Sequence, residues 1–91
     1  MIKDDTTLYQ KALKKFGCRH QMILAIEELA ELQVELAKVI NGRTDVEALV
    51  TEIADVEIML SQLIEMHHLQ HAVAAEKLRK LQRLEKRLQE D

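Results

Sequence analysis

The chain has 91 residues, a formal net charge of −3 and 47% hydrophobic residues, yet Tyr9 and Phe16 are its only aromatic side chains. A chain this short is a single domain, residues 1–91, that buries only roughly 60 to 65% of the surface its unfolded form exposes, so its own core is thin. With so few aromatics there is no platform on which nucleic-acid bases could stack, and no apolar run approaches the roughly 20 residues a membrane span needs.

Proline is absent and glycine occurs only at Gly17 and Gly42, which favours helix nearly throughout and an all-α class. A first helix can be capped by Asp5 or Thr6; its apolar positions Leu8, Ala12, Leu13 and Phe16 follow helical spacing, and Gly17 is a natural left-handed stop. A second helix runs from about residue 20 to residue 40 and ends at Asn41-Gly42. Apolar residues lie nearly all round it, which signals burial on more than one side. Thr44-x-x-Glu47 reads as a capping box for a third helix reaching about residue 65. The next boundary has neither Gly nor Pro. One continuous helix from residue 45 to residue 89 would be about 67 Å long at 1.5 Å per residue, out of proportion to a compact domain, so a turn is expected at residues 67–69. The expectation is a four-helix-bundle-like domain of antiparallel helices, completed by oligomerisation.

Charge is unevenly distributed. Residues 27–65 hold ten acids against Lys38 and Arg43, whereas residues 77–87 hold six bases against Glu85. A basic tail can serve nucleic acid, but the acidic middle would repel phosphate, and self-complementation within a bundle or oligomer is the better reading. The lone Cys18 excludes an intrachain disulfide and fits a reducing cytoplasm. The polar start, MIKDDTT, is not a signal sequence.

Two short motifs stand out in the acidic middle: Glu28-x-x-Glu31 within EELAEL, and Glu52-x-x-Asp55 within EIADVEIML. Residues three apart share a helix face, so each motif projects two carboxylates side by side. At 100° per residue, Glu28 lies on a stripe with Leu24, Leu32 and Val39, with Glu31 and Glu35 just to one side, while Glu52 lies on one with Ala48, Val56, Met59 and Leu63. A carboxylate embedded in apolar surface loses hydration and must be protonated, paired or metal-bound. Glu57 falls about 140° from Glu52 and is a poor ligand candidate. Oxygen-only ligands with no accompanying cysteine point to Mg²⁺, with Mn²⁺ as the alternative, rather than zinc. His20, His67, His68 and His71 have no partner at zinc-site spacing and read as solvated residues.

Lys77 occupies the apolar stripe of Val73, Leu81, Leu84 and Leu88, with Lys80 and Arg83 at its flanks. A core-facing lysine needs an anion. A substrate phosphate would serve, with Lys80 and Arg83 assisting Lys77 at the edge, and so would the acid cluster. Equally, a polar residue at one core position sets register in a coiled coil. The acidic motifs have a plain alternative too: either one alone would be ordinary helical surface charge.

In this order and context the two motifs resemble those of the MazG-like, all-α nucleoside triphosphate pyrophosphohydrolases, with EExxE on one helix and ExxD on the next. The match covers roughly residues 16–63, with a weaker echo in the lysine-rich last helix. The resemblance implies that Glu28, Glu31, Glu52 and Asp55 hold Mg²⁺ and that Glu27 orients or deprotonates the attacking water. It also implies hydrolysis of a nucleoside triphosphate between its α and β phosphates, giving the monophosphate and pyrophosphate, by a homodimer or homotetramer. The competing expectation is a non-catalytic oligomerisation or regulatory module whose acids pair with the basic last helix. A nucleic-acid-binding role for residues 77–87 is the weakest of the three.

Overall fold

The computed structural model describes residues 5–43 and 45–90, which form four α-helices: α1 (Asp5–Phe16), α2 (Cys18–Ile40), α3 (Val46–Met66) and α4 (Gln70–Gln89). No strand occurs among the described residues. None of these helices is long and apolar enough to cross a membrane.

Each boundary has a local cause. At Gly17 φ is +90°, a conformation that side-chain-bearing residues rarely adopt, and the residue links α1 to α2 with no other linker. Its N–H donates to the Leu13 carbonyl at 2.8 Å, and its carbonyl accepts from the Gln21 N–H at 3.2 Å. The end of α2 is a Schellman motif: Gly42 takes φ +76°, its N–H reaches the Val39 carbonyl at 3.1 Å and the Arg43 N–H reaches that of Lys38 at 2.8 Å. At the start of α3 the expected cap, Thr44, lies outside the described residues. Asp45 is the cap, its Oδ1 accepting from the Ala48 N–H at 3.1 Å.

The break between α3 and α4 falls at residues 67–69, where the sequence places it. It is a second Schellman motif with histidine in the glycine position. His68 takes φ +54°, its N–H donates to the Glu65 carbonyl at 3.3 Å and the Leu69 N–H donates to that of Ile64 at 2.9 Å. Histidine is among the few residues enriched in this region, which is how the turn forms without glycine.

α3 is the central element. It packs most extensively on α2 and also meets α1, and α1 meets α2. The core is small: Ala25, Val56 and Met59 are its only buried apolar residues among those described. Beside them Gln21 and Gln62 are buried too, the Gln21 side-chain amide donating to the Gln62 carbonyl oxygen at 2.7 Å. Gln62 in turn directs its own amide toward the Met59 sulfur at 3.8 Å. This pair fixes the register of α2 against α3, because without Gln62 the buried Gln21 Nε2 would lose its acceptor; Gln21 Oε1 lies 2.7 Å from His20 Nδ1.

α4 behaves differently. It touches α3 and neither of the other helices, and none of its residues is buried. The radius of gyration, 16.1 Å, exceeds the roughly 12 Å expected for a compact chain of this length. One chain therefore closes a three-helix body with a projecting arm, and does not by itself close the antiparallel four-helix bundle. The apolar residues round α2 are likewise left open, with Ile26 67% and Ile40 84% exposed.

Candidate metal centre

The carboxylates converge at the α2–α3 interface. Helical spacing puts Glu28 and Glu31 on the face of α2 that meets α3, and Glu52 and Asp55 on the answering face of α3. One carboxylate oxygen from each of Glu28, Glu31 and Glu52 lies within 4.8 Å of the others. Asp55 is not one of these three, but its charge acts on both Glu28 and Glu52. Glu28, Glu52 and Asp55 are half-buried, while Glu31 stands at the solvent edge.

Two atoms carry the chemistry of this cluster. Oε2 of Glu28 and Oε2 of Glu52 are both shut off from solvent, and neither has a hydrogen-bond partner among the described residues. Loss of hydration, first, and then the charges of Glu31, Asp55 and Glu52 raise the Glu28 carboxyl above the usual glutamate range. Glu52 is raised likewise, by desolvation first and then by the charges of Glu31, Asp55 and Glu35. Among the described residues no lysine, arginine or histidine forms an ion pair with any of the four.

Such a group has two ways to relax: take up protons, or take up a cation. The donor set suits a small hard cation. Ligands on Mg²⁺ at about 2.0–2.1 Å stand about 2.9 Å apart when adjacent and about 4.2 Å apart when opposite, so three oxygens within 4.8 Å need little movement to converge on one ion. An all-oxygen set with no thiolate disfavours zinc.

Glu35 belongs to this neighbourhood and was not among the expected ligands. It follows Glu31 by four residues and Glu28 by seven, so the same helical arithmetic that selects those two also reaches it. Its side chain is only 13% exposed, acts on Glu52 and is already held by Lys38 at 3.1 Å, so it is partly compensated where the other acids are not. Glu27 is exposed on α2, one turn before Glu31 and on the same side of the helix.

The basic candidates stand elsewhere. Lys77, Lys80 and Arg83 are exposed on α4, which does not touch α2. Lys80 lies 4.0 Å from Glu76 of its own helix, and Glu76 also pairs with Arg79. Lys77 and Lys80 border a shallow groove made by α4 alone, with Val73, Leu81 and Leu84 as its apolar lining. Glu57 lines a separate groove between α1 and α3, shared with Asp5 and Tyr9. No family model, curated protein or solved structure matches this chain.

Proposed function

We propose that the protein is a Mg²⁺-dependent nucleotide pyrophosphohydrolase that cleaves a ribo- or deoxyribonucleoside triphosphate to the monophosphate and pyrophosphate. The observation that carries this reading is the pair of solvent-excluded, unpartnered oxygens on Glu28 and Glu52 within a convergent acid cluster. Glu28, Glu31, Glu52 and Asp55 hold the cation, with Mn²⁺ as a substitute. Bound there, Mg²⁺ neutralises triphosphate charge and lowers the pKa of a coordinated water, the two demands of phosphoanhydride hydrolysis. The helices contribute position: the ligands come in i, i+3 pairs from two rigid elements locked in register by Gln21 and Gln62. Glu27, exposed beside Glu31, accepts a proton from the attacking water. Lys80 and Arg83, at the flanks of the α4 stripe, meet substrate phosphate in an assembled homodimer or homotetramer. No side chain need act as a covalent nucleophile, and the exposed Cys18 is not required as one.

The test is pyrophosphate release from a panel of nucleoside triphosphates with Mg²⁺. Wild type should turn over at least one of them, and Glu52→Gln should lose more than the roughly 10- to 100-fold typical of removing a mere supporting residue. Equal turnover by the two proteins would exclude the site. A second reading, a non-catalytic assembly module, draws on the apolar surface left open on α4. It predicts no turnover of any triphosphate.

A further inference from the structure

Two uncovered apolar seams of this chain fit each other. On α3, Val46, Val50, Ile53, Glu57, Leu60 and Ile64 follow one another in alternating steps of four and three residues, the spacing of a packed helix seam. On α4, Gln70, Ala74, Lys77, Leu81, Leu84 and Leu88 do the same. Read in opposite directions the two series have identical steps, so an antiparallel pair would bring Val50 against Leu84 and Ile53 against Leu81. In that register the only charged residue of each series meets the other: Glu57 faces Lys77.

Both seams are open to solvent. Val50 is 59% exposed, and Ile53, Leu60, Leu81 and Leu84 are exposed as well. The charges also match over a wider scale. α3 carries five acids and no base, while α4 carries six bases and two acids. Asp5 shares the Glu57 groove, and among the described residues no basic side chain lines it or pairs with Glu57.

The arm of one chain does not cover its own α3 seam. We propose that a second copy of this chain does: two copies exchange α4, each arm lying antiparallel along the outer seam of the other chain's α3, with Glu57 paired to Lys77 of the partner subunit. The exchange is reciprocal and closes as a twofold dimer, leaving neither arm free. The hinge is the three-residue turn at His67, His68 and Leu69, whose left-handed histidine already directs α4 away from the body. This proposal stands on the matching seams and their charges and is independent of any metal or substrate.

Charge reversal tests it without reference to catalysis. Wild type should sediment as a dimer, and Glu57→Lys or Lys77→Glu alone should weaken the dimer by about tenfold or more, since each reversal places like charges at both symmetric contacts. An equimolar mixture of the two single variants should regain wild-type assembly, because each chain then offers the complement of the other. A monomeric wild type would overturn the proposal. So would a Glu57→Lys protein that assembles unchanged, or a mixture that stays dissociated. A second measurement does not depend on either charged variant folding. In a Cys18→Ser background, a chain with Ile53→Cys and a chain with Leu81→Cys should form an interchain disulfide on mild oxidation, and failure of the mixed pair to cross-link would contradict the register.

Discussion

The acid cluster and the α4 arm are unsatisfied in opposite senses. At the α2–α3 interface, two carboxylate oxygens are shut off from water and have no hydrogen-bond partner among the described residues. Along α4, leucines are given water and denied a neighbour, with Leu88 76% exposed. Each deficiency specifies what would relieve it. Solvent-excluded negative oxygens call for a small positive ion, and an amphipathic helix with a regular open seam calls for another helix. The two regions therefore answer different questions, one about cation binding and one about assembly, and metal binding by the cluster can be measured without reference to the arm.

The largest expected effect lies in the cluster, where Glu52→Gln should remove the metal response altogether. The same variant should raise the Tm of the metal-free protein, because it deletes one of several mutually repelling charges; a thermal scan with and without Mg²⁺ reads both changes. Wild type should gain Tm with Mg²⁺, which binds the folded form.

The pH dependence follows from the same cause. Glu28 and Glu52 have folded-state pKa values raised above those of the unfolded chain. The native state holds their protons more tightly, so their contribution favours folding below the ordinary glutamate range and is lost as pH rises through the elevated values. Metal-free protein should therefore become more stable on mild acidification from neutral pH, and Mg²⁺ should flatten that slope by competing with the protons. A Tm that falls on mild acidification of the metal-free protein would contradict the crowding of these groups.

The remaining effects sharpen the contrast between a locked body and a free arm. Gln62→Leu leaves the buried Gln21 Nε2 without its acceptor and should cost about 1–3 kcal/mol in a urea titration, whereas changing both glutamines to leucine should cost much less than twice that. Asp45→Ala removes the side-chain cap of α3 and should cost about 1 kcal/mol. Smaller still, His68→Gly should change stability by about 1 kcal/mol or less, in the stabilising direction, by relieving a left-handed backbone.

Much of this was legible in the residues. Gly17 and Gly42 mark two boundaries because each supplies a positive φ. The turn at residues 67–69 could be placed only by length, since histidine does the work of glycine there. Thr44-x-x-Glu47 pointed one residue short of the Asp45 cap, a shift that competing cap residues in sequence readily produce. The convergence of Glu28, Glu31 and Glu52 follows from i, i+3 spacing on apolar stripes, whereas the same spacing does not tell Glu35, already held by Lys38, from an unpaired acid. The Gln21–Gln62 pair gave no signal, because a lone glutamine on an apolar face does not announce a partner 41 residues away. Nor could periodicity say where α4 would pack. A stripe of Leu81, Leu84 and Leu88 states that one face wants cover, without stating which surface supplies it.

The most direct measurement of the central claim is a calorimetric titration of Mg²⁺ into wild type and into Glu52→Gln at neutral pH. Saturable binding by wild type that is lost in the variant is the predicted result. No binding at millimolar Mg²⁺, or equal binding by both proteins, would contradict a metal centre built from these carboxylates.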